Sequence, residues 1–238
     1  FEKRLDTSSC PSCGEGGLEL FYGVADIPVF DCVLMDTREQ ALAVPRHDLR
    51  IGLCTSCGFI TNTAFDADNP EYSARYEETQ GFSGTFSRFA TELAESLIER
   101  YGLTNKRVLE IGCGKGEFLT VLCQLGNNQG VGIDPSWLPD RLTAEQTRNI
   151  EFHADFYGPE HAKIATDFIC CRHTLEHIPN TREFIQQVRD NASSDTPVWI
   201  EVPDVLRVLR EGAFWDIYYE HCSYFTLGSL ARLYRNCG

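Results

Sequence analysis

The chain has 238 residues, 42% of them hydrophobic, and a formal charge of −14. That length accommodates one large core with a small satellite, and the acidic balance disfavours nucleic acid and anionic membrane surfaces as partners. No apolar run approaches a membrane span and no signal peptide opens the chain, so the eleven cysteines read as thiols and metal ligands in a cytoplasmic protein rather than as disulfides.

Residues 1–70 form the first predicted domain. Cys10-Pro-Ser-Cys13 and Cys54-Thr-Ser-Cys57 are two C-x2-C pairs, followed by Gly14 and Gly58. Each pair can present two thiolates from one tight turn, and two such knuckles complete a tetrahedral four-cysteine zinc site. The 40 residues between Cys13 and Cys54 leave room for strands near 18–22, 27–30 and 49–53. A segment this small needs a staple, and metal binding supplies folding energy. Four thiolates leave no open coordination position, so the predicted metal is structural. Cys32 reads as a small buried residue and His47 as a surface one.

Residues 71–103 read as a helical connector. Ser83 or Thr85 is the candidate N-cap of a helix whose apolar stripe is Phe86, Phe89, Ala90, Leu93, Leu97 and Ile98. Tyr72, Tyr76 and Phe82 precede it, placed either to form a lid over a site or to pack between domains.

Residues 104–238 alternate short apolar strands with helices, which predicts a parallel, doubly wound sheet. Arg107–Ile111 reads as a buried strand that breaks into Gly112-Cys-Gly114-Lys-Gly116 and starts a helix at Glu117. The alternate glycines permit a tight turn and close approach of a ligand, and exposed amides at the helix head suit a polar or anionic group. The loop departs from the dinucleotide fingerprint, because the third position after Gly114 is Glu117. The pattern E-x-G-x-G-x-G resembles the nucleotide loop of class I S-adenosylmethionine (SAM) methyltransferases.

The second strand, 129–134, ends in Asp134-Pro135, where an acidic side chain can accept from both hydroxyls of a ribose; Ser136 is the candidate cap of a following helix. The third, 149–153, leads into Asp155-Phe156, a carboxylate and an aromatic that suit the amino group and ring of an adenine. The fourth, 167–171, opens into Arg172-His173-Thr174-Leu175-Glu176-His177-Ile178-Pro179. Thr181 then caps a helix carrying Phe184, Ile185 and Val188, and the fifth strand, 198–202, stops at Pro203. Ligands of such sheets sit beyond the carboxyl ends of the strands, where Glu110, Asp134, Asp155 and Arg172 all fall.

Phe214-Trp-Asp216-Ile-Tyr218-Tyr219-Glu220-His221-Cys222-Ser223-Tyr224-Phe225 carries the most specific resemblance. With the cysteine pairs and the glycine loop, it makes the chain similar to the zinc-containing SAM-dependent C-methyltransferases of nucleotide-linked deoxysugars. That family combines a four-cysteine zinc module, a class I methyltransferase domain and a further C-terminal domain. Its Tyr-His-Glu-His-x-Ser-Tyr segment lies at the sugar site and maps onto Tyr218, Glu220 and His221, with Tyr219 replacing the first histidine. Leu175–Pro179 resembles a second family stretch and puts His177 at the same site. The resemblance implies a cofactor site of Glu110, Gly112, Gly114, Gly116, Asp134, Pro135, Asp155, Phe156 and Arg172. It also implies two sheet strands after 227–236 that this sequence lacks, so the chain is expected to be part of a longer polypeptide with an unpaired fifth strand.

C-methylation beside a ketone needs a base near neutral pKa and donors for the enolate. His221 fits the base; Tyr218 fits the donor, or a base if a cation lowers its pKa; Glu220 fits an imidazole or a sugar hydroxyl; His177 fits the ketone. A nucleotide diphosphate on so acidic a chain needs local cations, for which Arg75, Arg172 and Arg207 are candidates. Two rival readings keep part of this pattern: an O- or N-methyltransferase of another small metabolite, and a non-catalytic zinc-ribbon interaction module.

Overall fold

The computed structural model describes residues 5–72, 75–162 and 164–238; Ser73 and Ala74 of the predicted connector lie outside them. Two compact units emerge, and they are not consecutive in sequence. One comprises Phe1–Glu71, His173–Arg189 and Val202–Gly238; the other comprises Tyr72–Arg172 and Asp190–Glu201. The sequence reading cuts the chain into consecutive pieces at 70 and 103, whereas in space the residues after 202 group with the N-terminal segment.

The first unit begins as an antiparallel meander of β1 (Leu5–Ser9), β2 (Gly16–Pro28), β3 (Arg46–Cys54) and β4 (Ile60–Asn62). A one-turn helix, α1 (Arg38–Leu42), joins β2 to β3 and starts at a Thr37/Gln40 capping box. The two cysteine knuckles are the tight turns of this meander, one between β1 and β2 and the other between β3 and β4. Each is closed by the same pair of bonds: Cys10 N–H to Glu15 O and Gly14 N–H to Cys10 O in one, Cys54 N–H to Phe59 O and Gly58 N–H to Cys54 O in the other. Gly14 and Gly58 have φ of 83° and 74°, the left-handed backbone that a Cβ disfavours, which explains the glycine after each pair.

The second unit is built on a fully parallel sheet of order β7-β6-β5-β8-β9, with β5 (Arg107–Ile111), β6 (Gln129–Ile133), β7 (Ile150–His153), β8 (Phe168–Arg172) and β9 (Val198–Glu201). The order reverses at β5, which pairs with β6 on one side and β8 on the other; that is where ligands bind in doubly wound sheets. Each strand lies within two residues of its predicted place because each is a short buried run. β9 forms an edge of the sheet as described.

Helix α2 (Gly84–Tyr101) starts at Ser83 and ends at Gly102 in the left-handed region. It buries Ala90, Ala94 and Leu97 in one core with Leu103, Val108, Phe118, Leu119, Leu122 and Phe168. Phe89, assigned to the inward stripe from sequence, is 47% exposed, because the small residues Ala90 and Ala94 make the contact face. Helix α3 (Glu117–Gly126) follows the glycine loop as expected. No helix follows Pro135: residues 135–149 are a run of turns and bends, and Ser136 serves another purpose described below.

Helix α4 (Thr181–Asn191) buries Phe184, Ile185 and Val188 as the periodicity requires. Helix α5 (Val205–Glu211) is capped by Asp204 and α6 (Leu227–Cys237) by Thr226. Between α5 and α6, β10 (Ser223–Tyr224) pairs antiparallel with β4 and completes the first unit's five-stranded sheet. Val205, Val208, Ala213 and Tyr224 share its core with Leu49, Ile51 and Ile60. Among the described residues no helix is long and apolar enough to cross a membrane.

Candidate functional site

In the sheet unit, the glycine loop leaves β5 with Gly112, Gly114 and Gly116 at φ of 69°, 53° and 82°. A Cβ on Gly116 would meet Cε1 and Cζ of Phe152 at 2.6 Å, so this glycine is required for close packing as well as for the turn. The amides of the loop itself are engaged within the protein. Gly112 N–H goes to Ile133 O at 2.8 Å, Gly114 N–H to Asp134 Oδ2 at 2.8 Å, Lys115 N–H to Glu78 Oε1 at 3.1 Å and Gly116 N–H to Cys113 O at 2.8 Å.

Asp134 accepts further bonds at Oδ1 from the Ser136 N–H and Oγ, both at 2.7 Å. Three of a carboxylate's roughly four acceptor positions are therefore used. One ribose hydroxyl can bond to Asp134 without rearrangement, and a second requires Ser136 to turn away. The backbone of Asp134 bonds to His153 O at 3.0 Å, which sets the ends of β6 and β7 side by side. Asp155 follows β7 and is exposed, as is Phe156 at 61%; Pro135 is half-buried beside Asp134. Trp137, which carries no motif in the sequence, stacks on Phe152 with ring centres 4.9 Å apart, and its Nε1 is buried with no hydrogen-bond partner among the described residues.

Glu110 is only 2% exposed. Burial pushes its carboxyl up to about 8, Arg172 pulling against that shift and Asp134 adding to it, so the group is substantially protonated near neutral pH. Arg172 ends β8, donates from Nε to Glu201 Oε2 at 2.8 Å and lies 4.1 Å from the Phe118 ring centre. It is thus an internal ion pair rather than an open cation. Arg207 in the other unit is likewise paired, to Glu211 at 3.2 Å. Of the three predicted anion-binding arginines, Arg172 is neutralised inside the protein, whereas the Arg207 pair is at the surface, with both side chains more than half exposed.

Of the predicted aromatic lid, Tyr76 is buried, its ring 5.3 Å from that of Tyr72, while Phe82 is 86% exposed. The connector covers the glycine loop through polar residues instead. Glu78 reaches the Lys115 amide and, at 3.8 Å, the Lys115 ammonium; Thr79 bonds to Glu117, and Glu77 pairs with Arg141 at 2.8 Å. None of these carries a sequence signature, because their meaning depends on which turn of chain lies above the loop.

The second cluster belongs to the other unit. Tyr219 to Phe225 are all buried, so this stretch is core rather than a surface loop. Tyr218 Oη lies 2.5 Å from His221 Nε2, and His221 Nδ1 faces the Asp216 carbonyl at 2.9 Å. A carbonyl only accepts, so Nδ1 carries the proton and Nε2 is left to accept from the Tyr218 hydroxyl. Burial pulls the His221 imidazole below its usual range, and burial with Asp31, Cys32 and Glu176 nearby pushes the Tyr218 phenol up. No cation is among the groups acting on Tyr218, so the expectation of an acidified tyrosine is replaced by a protonated phenol beside a neutral imidazole.

The His177 ring centre is 4.8 Å from that of His221. Burial, with the His221 charge second, pulls His177 down to about 4, and the Glu220 carbonyl accepts its hydrogen bond. A neutral imidazole that spends its single N–H on a carbonyl offers only an acceptor at the other nitrogen. The predicted polarisation of a ketone by His177 therefore does not fit. Glu220 is fully buried, and Tyr219 is a structural residue: its hydroxyl accepts from the Asp66 amide at 2.9 Å and its ring packs 5.4 Å from Phe65 and 5.7 Å from His47. His47, expected at the surface, is half-buried for that reason. Glu176, adjacent to His177 in sequence and unassigned there, is 2% exposed and brings a carboxylate oxygen within 4.8 Å of a ring nitrogen of each histidine. Because both nitrogens of His221 are already engaged, this trio reads as acid–base chemistry and not as a metal site.

Cys10, Cys13, Cys54 and Cys57 converge with all four Sγ atoms within 4.8 Å of one another. The Cys10–Cys57 and Cys13–Cys54 sulfurs are each 3.7 Å apart. Cys57 is pushed down to about 5 by its hydrogen bond with Cys10, whose own thiol is pushed up. Arg182 Nη1 donates to Cys13 O at 3.4 Å and Arg232 Nη1 to Cys57 O at 3.0 Å, so a guanidinium from α4 and one from α6 bind the two knuckles. Cys32 is half-buried and lies apart from the four.

Residues 86–238 match the methyltransferase domain family. Over 170 residues the chain is 29% identical to the C-methyltransferase NovU of Streptomyces niveus, an alignment covering 68% of this chain and 40% of NovU. The chain thus spans about two fifths of the length of that curated relative. Among solved structures, the plantazolicin methyltransferase BpumL in complex with SAH aligns at 21% identity and a TM-score of 0.46, covering 64% of each chain. A putative O-methyltransferase from Nostoc punctiforme aligns at 16% identity and a TM-score of 0.49, covering 64% of this chain and 50% of that one.

Proposed function

The chain belongs to the methyltransferase domain family, and from that premise we propose that it transfers a methyl group from SAM to the carbon beside the ketone of a nucleotide-linked 4-keto-deoxysugar. The observation that carries the choice of carbon is the Tyr218–His221 contact at 2.5 Å. An amine carries its own lone pair and a hydroxyl gives up its proton readily, whereas carbon becomes a nucleophile only after a base removes a C–H proton. NovU, a C-methyltransferase by name, is the relative that agrees.

The chemistry follows from the protonation states. Neutral His221 takes the hydroxyl proton of Tyr218 at Nε2 while Tyr218 Oη takes the proton from the sugar carbon. The phenol is restored, the imidazole becomes a cation, and the electron pair is left on the sugar as an enolate. When bound, SAM would supply the methyl group to that carbon, its S–CH3 bond breaking and S-adenosylhomocysteine leaving. His177, an acceptor only, orients a sugar hydroxyl. On the cofactor side, Asp134 offers one acceptor to a ribose, while Asp155 and the exposed Phe156 offer a carboxylate and a ring face to an adenine. Gly112, Gly114, Gly116, Glu110 and Arg172 hold the shape of the loop.

The four cysteines fit a structural zinc ion. A tetrahedron with metal–sulfur bonds of about 2.3 Å has edges of about 3.8 Å, close to the two sulfur separations of 3.7 Å. The ion would be held by Cys10, Cys13, Cys54 and Cys57 and would stabilise the two knuckle turns. No step of methyl transfer involves it.

The test is proton exchange. The chain is incubated in D2O with SAH and a nucleoside-diphosphate 4-keto-6-deoxysugar, and deuterium at the carbons flanking the ketone is read by mass spectrometry. Deuterium entry that Tyr218→Phe and His221→Asn abolish supports the reading. Methyl transfer from SAM to a hydroxyl or amine without any exchange overturns it in favour of an O- or N-methyltransferase, and absence of SAM binding by calorimetry overturns it in favour of a non-catalytic module.

A further inference from the structure

Resting on that reading, the proton taken by His221 creates a cation inside the protein. His221 is only 5% exposed, and a buried cation is costly unless an anion faces it. Among the described residues, the charged and titratable groups around it include Tyr218, Glu220, Cys222 and Tyr224 from its own segment, His177 and Glu176 from the preceding single turn, and Asp216 and Asp31. Of these, Glu176 exerts the largest charge effect on His221. Its Oε2 is buried and accepts no hydrogen bond from the described residues, while Oε1 is 3.5 Å from His173 Nδ1.

We propose that Glu176 is a positioning residue for proton abstraction: its buried carboxylate is the counter-ion that holds His221 as imidazolium while the carbanion equivalent exists. The proton stays on His221 and returns to solvent after methyl transfer; Glu176 gains none. Several features argue for this over a purely structural role. A side chain 3% exposed would be less costly as an apolar or amide residue if nothing required its charge. Its main chain is fixed independently of the carboxylate, since the Cys222 thiol bonds to its carbonyl at 3.6 Å. Despite burial, the hydrogen bond from His173 holds the carboxyl below its usual range, so it is ionised when the imidazolium forms.

Nuclear magnetic resonance of the full chain with labelled histidine tests this without substrate or cofactor. In Glu176→Gln, an isosteric change, the His221 titration midpoint should fall by at least about one pH unit, and Glu176→Asp should restore most of it. In the unaltered chain the Glu176 carboxyl carbon should report an ionised group throughout pH 5–8, with a small step at the His221 midpoint. An unchanged midpoint in Glu176→Gln, or a Glu176 carboxyl that titrates between pH 5 and 8, overturns the proposal even where a variant folds poorly, since the second measurement needs none. In turnover, Glu176→Gln should lower kcat at least about tenfold with little change in KM, and should move the acidic limb of the pH–rate profile with the imidazole. Equal losses in Glu176→Gln and Glu176→Asp would overturn it as well. A chain that passes both titrations but exchanges no keto-sugar proton keeps the ion pair and loses the methylation reading, so the two failures are distinguishable.

Discussion

Tyr218 Oη and His221 Nε2 are 2.5 Å apart, and the Asp216 carbonyl fixes the imidazole tautomer from the other side. The two side chains therefore act as one proton-handling unit. Tyr218→Phe and His221→Asn should each lower kcat by about 10²–10⁴-fold. The double variant should be little worse than the weaker single one, because members of a unit are not additive. Calorimetry of SAM binding should be unchanged in all three; a matching loss of SAM affinity would place the residues in cofactor binding instead.

His177 makes acid stability readable. Its imidazole is held at about 4, against an ordinary 6.5. A histidine depressed in the folded chain contributes stability above the unfolded value and loses it as pH falls, here between about 6.5 and 4. Denaturant unfolding of the chain and of His177→Asn across that interval should show a difference that shrinks toward low pH by on the order of 2 kcal/mol. A pH-independent difference would mean that the histidine is not buried as a neutral group.

Gly116 combines φ of 82° with Phe152 carbons 2.6 Å from the place a Cβ would take. Gly116→Ala should cost about 1–3 kcal/mol of stability and weaken SAM binding at least about tenfold, read by melting and calorimetry. Gly84, where a Cβ meets nothing within 4 Å, is the control: Gly84→Ala should leave both unchanged. Equal behaviour of the two variants would remove the special standing of the loop.

The cysteine cluster predicts one zinc per chain by elemental analysis. Cys54→Ser should abolish stoichiometric metal and destabilise the knuckle sheet by several kcal/mol. Arg232→Ala, which removes the bond to the Cys57 carbonyl, should keep the stoichiometry but speed metal release to a chromogenic chelator several-fold. Full metal retention in Cys54→Ser would contradict the four-cysteine ligand set.

What the sequence revealed was local in origin. The knuckle glycines, the cap at Ser83 (one of two candidates), the strand at 107–111 and the turn to Glu117 each depend on a few neighbouring residues, and each is found where expected. What it concealed depends on distant partners. Nothing near Glu78 announces the amide of Lys115 that it meets. Tyr219 sits where a polar motif is expected, yet its partners Phe65 and Asp66 make it core. Phe89 follows the helical period but yields the contact face to alanines. Tyr218 and His221 were legible as residue types; their shared proton was not, because that requires the Asp216 carbonyl to set the tautomer.

The pairing of β10 with β4 links positions as far apart as Thr61 and Cys222, 161 places along the chain. During synthesis the nascent polypeptide exposes β1 to β4 long before β10 leaves the ribosome, while β5 to β9 of the parallel sheet have already emerged. The meander must wait through that interval with one edge unsatisfied, a state prone to wrong partners. Early capture of a metal ion by the two knuckles would restrain it in the meantime, and if that ion is zinc, its cellular supply would help to set how much of this protein matures correctly.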